Sequence, residues 1–260
     1  MQQLGQGARD RRRKLTTGRS HRYPTFVIRL ALLATLALAT ASHATPRIVA
    51  LDPGHGGSNR GAKGATLHEK QLTLAIASLV ADRLRAREIS VTMTRTDDRT
   101  LTLRQRVAIA DRLPADLFVS IHANASPTRT QRGFETFVLT PRGIDVDGRA
   151  LRSNVTTPRA GVDPEIGLVL DDIERGASQW EAADLASRMQ RSLRDRRGAD
   201  GDRGVRQDAH HVLLGATMPA VLVEVGFIDH PAEGKQLATP AVQAQIADAI
   251  AEAIIDQLAE

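Results

Sequence analysis

The chain has 260 residues, with 35 Lys and Arg against 30 Asp and Glu, and no cysteine. Residues 1–44 hold eight of those basic residues and one acid, which leaves 27 basic and 29 acidic residues beyond them, a net of −2. The basic character therefore belongs to the leader and is no sign of nucleic-acid binding; the lack of thiols excludes disulfides and thiolate metal sites, so any metal must sit on His, Asp or Glu.

In chain order, residues 1–29 are basic and include Arg11-Arg12-Arg13-Lys14. An uncharged apolar stretch of twelve residues runs from Leu30 to Ala41 and ends in Ser42-His43-Ala44. A basic region, a short apolar region and a small-x-small site are the plan of a signal peptide, with cleavage expected after Ala44. Twelve residues are too few to cross about 30 Å of hydrocarbon, so no permanent membrane anchor is expected. Arg12-Arg13-Lys14-Leu15 matches a twin-arginine signal only loosely, and the export route stays open.

Residues 45–260 suit one domain with its own core. Apolar, strand-forming runs lie at 47–51, 90–95, 117–122, 134–139 and 219–225, and helical patterns at 69–87, 101–113, 179–196 and 240–258. Such alternation predicts an α/β fold: a twisted, mainly parallel sheet with helices on both faces. Ser178-Gln179-Trp180-Glu181 reads as a capping box opening the third helix. Thr239-Pro240 gives the fourth an N-cap and a proline at its first position. The segment 140–177 is long for a connection inside a compact domain and is expected to be functional or mobile.

Three polar residues stand at the ends of apolar runs. Asp52-Pro53-Gly54-His55-Gly56-Gly57 is a glycine-rich turn after the first strand; without the lysine of a phosphate loop, His55 is either a ligand or part of a structural turn. His122 closes Phe118-Val119-Ser120-Ile121-His122, where a satisfied core histidine is the plainer alternative. Glu224 sits in Val221-Leu222-Val223-Glu224-Val225, where a buried charge is costly without a partner. Glu69 falls near the centre of the apolar face formed by Leu72, Ile76, Leu79, Val80 and Leu84. Alone it reads as a carboxylate favoured by the helix dipole; beside a metal it reads as a ligand. Polar groups at the carboxyl ends of neighbouring strands converge where open α/β sheets form sites. Two histidines and one carboxylate are a known ligand set of catalytic zinc, with one position left open, and a nearby glutamate can serve as the base.

These motifs resemble the zinc-dependent N-acetylmuramoyl-L-alanine amidases of bacterial cell walls. The resemblance rests on Ile48–Gly57, Glu69-Lys70, Val91–Arg95, Leu103–Arg106, Ala115–Asn124, Gly133-Phe134-Glu135, Arg203-Gly204-Val205 and Pro219–Phe227, in family order. It implies a phosphorylase/hydrolase-like architecture, one Zn2+ per chain on His55, Glu69 and His122, and Glu224 as the catalytic carboxylate. It further implies action on peptidoglycan, cutting the amide between N-acetylmuramic acid and the L-alanine of the stem peptide; with the leader, an exported monomer is expected, in the periplasm, or at the cell wall or outside the cell where the source lacks an outer membrane. Arg95, Asp97 and Arg104 match family positions and are expected to fix loops by ion pairs. His210 and His211 are expected at most at the rim, and His230 has no assigned role. In regulated relatives a helix covers the site until an activator protein displaces it. Here 140–177 looks like a reduced version, with Ser153 where an acid is expected and Asp147, Asp163 and Glu165 as the nearby alternatives. Its closure is expected to rest on Leu151, Ile166, Leu168 and Leu170. The rival readings are an inactive cell-wall-binding or activator domain, and a different zinc peptidase.

Overall fold

The computed structural model describes residues 47–139, 164–208 and 212–259. The expected leader, residues 140–163 of the expected regulatory segment, and His210 and His211 lie outside the described residues. Six strands run in chain order: β1 (Ile48–Pro53), β2 (Ser90–Met93), β3 (Leu117–Asn124), β4 (Phe134–Leu139), β5 (Asp202–Asp208) and β6 (Ala220–Phe227). The helices are α1 (Glu69–Arg85), α2 (Leu103–Asp111), α3 (Pro164–Arg197), α4 (Glu233–Leu237) and α5 (Pro240–Leu258).

Apolar residues alternate along the central strands and split into two cores. Val49, Leu51, Val119, Ile121, Val221 and Val223 pack with α1, α3 and α5 on one face. Ala50, Phe118 and Leu222 pack on the other with Ala110 of α2 and with Val212 and Leu213. Helices thus cover both faces, as the near-continuous apolar runs predict for strands buried on both sides.

The strand order is β2-β1-β3-β6-β4-β5. Neighbours among β2, β1, β3 and β6 pair in parallel, β4 pairs antiparallel with β6, and β5 runs parallel to β4. The sheet is therefore mixed, mainly parallel at its centre. β5 was not foreseen: its sequence Asp-Arg-Gly-Val-Arg-Gln-Asp is polar and largely exposed, as an edge strand permits.

Two helix boundaries carry a lesson. Thr239 caps α5, its hydroxyl accepting from the Val242 amide at 3.4 Å with Pro240 behind it, as predicted. The predicted start at Ser178 is wrong, because α3 runs unbroken from Pro164. A Ser-x-x-Glu pattern also fits a helix interior, where Glu and Gln are good formers. Residues 164–177 of the expected regulatory segment are therefore the first part of α3. Among its described side chains the buried ones begin at Ala182, whereas Ile173 and Trp180 are exposed.

A buried acid fixes the strands that carry the site. Glu233 of α4 accepts from the amides of Gly133 and Phe227, at 3.0 and 2.9 Å for its Oε2. The start of β4 is thereby tied to the end of β6.

Candidate metal centre and active site

The carboxyl ends of β1 and β3 and the first turn of α1 bring three side chains together. One ligand atom from each of His55, Glu69 and His122 lies within 4.8 Å of the others. His55 Nε2 is 3.0 Å from one Glu69 oxygen, and His122 Nδ1 is 3.0 Å from the other. The two imidazoles meet edge to face, with centroids 4.9 Å apart. Glu69 is buried, as its place on the apolar face of α1 predicts. Its oxygens also accept from backbone amides on opposite sides, Ala62 N at 2.8 Å and Ala123 N at 3.0 Å. Burial opposes its charge, but hydrogen bonds from His122 and His55 outweigh it and hold the carboxyl far below the usual range. Burial likewise opposes protonation of His55, yet Glu69 and Asn59 outweigh it and raise its pKa.

The turn holding His55 is locked from beneath. His55 has φ +61°, a left-handed conformation uncommon outside glycine. Arg106 donates to the carbonyls of Pro53 at 2.8 Å and His55 at 2.6 Å. Arg95 donates to those of Pro53 at 3.0 Å and Gly54 at 2.8 Å. The fully buried Asp52 offsets the Arg106 charge at 2.7 Å and also accepts from Thr94 and Ser120. Asn59 Oδ1 sits 2.9 Å from His55 Nδ1, which turns Nε2 towards Glu69. Gly54 leaves the room that the His122 ring fills, and Gly61, at φ +66°, abuts Glu69 and His55.

Glu224 lies beside this cluster. It is in register with His122 across β3 and β6 and opposite Glu135 across β4 and β6. It is buried, and its Oε2 has no hydrogen-bond partner. Burial first, and then the negative charges of Glu69 and Glu135, push its pKa well up. Glu135 differs: Asn124 donates to it at 2.7 Å, and Arg203 and Arg206 stand 3.2 and 3.3 Å away.

The structure thus gathers the four residues singled out in the sequence. Arg95 does fix the loop. Asp97 is exposed, but its carbonyl accepts from Arg95 at 3.2 Å. Arg104 does not have the expected role: it is exposed, and the buried arginine is Arg106, two positions on. The signal was present, because Arg106 shares a helix face with buried Ala110 four residues later. Asn59 and the pairing of Glu135 with Arg203 had no periodic signature. His230 accepts from the amides of Ala232 and Glu233 at 3.2 and 3.1 Å, a structural use that fits its having no assigned role.

Comparison with known proteins places this architecture. Residues 49–256 match the Amidase_3 family, N-acetylmuramoyl-L-alanine amidase. N-acetylmuramoyl-L-alanine amidase AmiA of Escherichia coli is 34% identical over 218 residues, covering 80% of this chain and 75% of the relative. The uncharacterised protein YqiI of Bacillus subtilis is 32% identical over 225 residues, covering 86% of this chain and 91% of its own. Among solved structures, the amidase of Clostridium difficile 630 superposes with a TM-score of 0.64 at 28% identity, covering 84% of this chain and 99% of its own. Amidase AmiC2 of Nostoc punctiforme gives 0.62 at 29%, covering 82% and 98%. On the match over residues 49–256 and the relatives above 30% identity, the chain belongs to the N-acetylmuramoyl-L-alanine amidase family.

Proposed function

We propose that this peptidoglycan amidase is exported and cleaves the bond between N-acetylmuramic acid and the L-alanine of the stem peptide, with one zinc ion on His55, Glu69 and His122 and with Glu224 as base. The observation that carries the reading is the meeting of two imidazole nitrogens and a carboxylate beside a buried carboxylate whose Oε2 lacks a partner. A nitrogen and oxygen donor set without thiolate suits zinc with an open position, and both histidines keep some exposure on the open side. When bound, the metal supplies Lewis-acid polarisation of the scissile carbonyl and lowers the pKa of an attacking water.

The residues of the chain do the rest. Glu69, held by two backbone amides, and His55, held by Asn59, are oriented before any ligand arrives. Glu224 takes a proton from the attacking water and delivers it to the leaving amine. Its burial among other carboxylates keeps its proton affinity high, as a group that must hold a proton between the two steps requires. Glu135, held in place by Arg203 and Arg206, adds a neighbouring negative charge that supports that affinity.

The basic leader 1–44 directs the chain out of the cytoplasm, and the periplasm is the proposed compartment. There the domain works as a monomer, without nucleic acid or a permanent membrane anchor. The segment 140–177 regulates access to the site and is the surface on which an activator protein would act. The exposed Ile173 and Trp180, seven residues apart along α3, support that role.

Metal content measured together with mass spectrometry of digested sacculi tests the proposal. Release of intact stem peptides by a protein carrying one zinc is expected; cuts within the glycan or within the peptide would overturn it.

A further inference from the structure

The loop after His55 folds back on its imidazole. Backbone bonds close the turn between Gly56 and Asn59 in both directions, Gly56 N to Asn59 O at 2.8 Å and Asn59 N to Gly56 O at 3.1 Å. That closure returns the Asn59 side chain to the ring four residues earlier, where its Oδ1 lies 2.9 Å from His55 Nδ1. The same oxygen accepts from the Gly61 amide at 3.2 Å.

The place of the ring proton follows from that second bond. A side-chain amide offers an acceptor at one end and donors at the other. The Gly61 N–H can only donate, so it must meet the oxygen. With the oxygen turned inward, His55 is the donor of its pair, and a proton belongs on Nδ1. Nε2, 3.0 Å from Glu69, is then the nitrogen left to offer a lone pair to a cation. His122 is set up the other way round. Its Nδ1 faces Glu69 at 3.0 Å and its ring packs on Gly54. Among the described residues no acceptor meets its Nε2. Only His55 therefore has its outer nitrogen held.

The acceptor behind His55 is an uncharged amide. A carboxylate in that place would hold the same proton more strongly and make the ring a stronger donor to a metal. This deepening rests on the zinc reading of the site. We infer that Asn59 is a positioning residue: its Oδ1, oriented by the Gly61 N–H, fixes His55 as an Nε2 ligand, and its neutral amide sets the metal affinity below what the same scaffold would give with an acid.

Zinc affinity measured by competition with a chelator is the first test, in the full chain and in two variants at this exposed position. N59A should bind zinc about 10–100-fold more weakly, the usual loss on removing such an outer partner. N59D, which keeps the acceptor and adds a charge, should bind more tightly than the parent. Parental affinity in N59A overturns the positioning role, and an N59D no tighter than the parent overturns the tuning. Isotope-edited spectra of the imidazole nitrogens are the second test, because a merely structural asparagine would not move them. In the zinc-loaded parent, His55 should keep its proton on Nδ1 and take the metal on Nε2, with the reverse arrangement in His122. Metal on His55 Nδ1 overturns the assignment. In the metal-free parent, the His55 Nδ1 proton should be protected from exchange with solvent, and N59A should lose that protection. If the parent holds no zinc, the zinc reading fails and this exchange alone decides the role of Asn59. Equal exchange in parent and N59A then removes it.

Discussion

Glu135 and Glu224 face each other across β4 and β6, yet they live in different electrostatic worlds. Glu135 is met by Asn124, Arg203 and Arg206, whereas Oε2 of Glu224 is buried without a partner. Burial, and then the negative charges of Glu69 and Glu135, raise the proton affinity of Glu224. The pair therefore has one structural acid and one with proton affinity to give, which is why Glu224 is the proposed base.

Glu224→Gln keeps the shape and removes the acceptor. Turnover on sacculi should fall about 10²–10⁴-fold, the usual worth of a general acid–base group, with zinc content unchanged. Near-parental turnover would place the base elsewhere.

The proposed metal ligands make a separate prediction. His122→Ala or His55→Ala should remove most bound zinc and activity, and chelation of the parent should do the same reversibly. Stoichiometric zinc in purified His122→Ala would reject the assignment. Gly61→Ala is a gentler probe: the added methyl would meet Glu69 Oε2 at 2.6 Å and the His55 ring, at φ +66°. Zinc affinity should drop at least roughly tenfold while the far-ultraviolet spectrum is kept.

The sign of the pH dependence follows for the metal-free protein. The Glu224 carboxyl is raised in the folded chain, so between its ordinary unfolded pKa and its folded value the native state binds more protons. Stability must then fall as pH rises through that window. His55, also raised, acts in the same direction: its contribution is present below its unfolded pKa and lost as pH rises through its folded pKa. Glu69, lowered, loses its contribution only as pH falls towards its folded pKa. Urea midpoints of chelated protein from mildly acid to neutral pH should decline, and less steeply in Glu224→Gln. Equal slopes for the two proteins would contradict the raised pKa.

Breaking the buried Asp52–Arg106 pair should be expensive. Arg106→Ala leaves Asp52 charged and buried and frees the carbonyls of Pro53 and His55. A loss of about 3–5 kcal/mol is expected from such a half-broken pair, read from denaturant unfolding. A loss below about 1 kcal/mol, within the range of exposed pairs, would show that the pair does not hold the turn.

Replacing 145–174 by a short Gly/Ser linker should raise activity on sacculi. The buried α3 side chains among the described residues, from Ala182 on, all lie beyond the cut. A closing preference of about 1.4 kcal/mol corresponds to roughly tenfold inhibition. A folded, zinc-loaded deletion variant no faster than the parent would end the lid idea.

The site was more legible than its support. Glu69, His122 and Glu224 stand out because each is a polar residue on an apolar run or face, and His55 because it sits in a glycine-rich turn directly after one. Arg106 obeyed the same rule at its helix face but was passed over for Arg104. Asn59, Glu135 and Arg203 could not be found this way, since one sits in an irregular loop and the others on strands whose burial does not alternate. The same local logic failed at Ser178, where a start signal lay inside a continuous helix.

The carbonyls of Pro53, Gly54 and His55 are held by Arg95 and Arg106, the second of them paired with the buried Asp52. In small zinc domains the ion creates the fold. On the zinc proposal, a turn held this way by backbone contacts is expected to fold without the ion, so chelated protein should keep its cooperative unfolding transition. Under that proposal the chain would wait as a complete but silent scaffold, its activity following the supply of metal rather than the progress of folding.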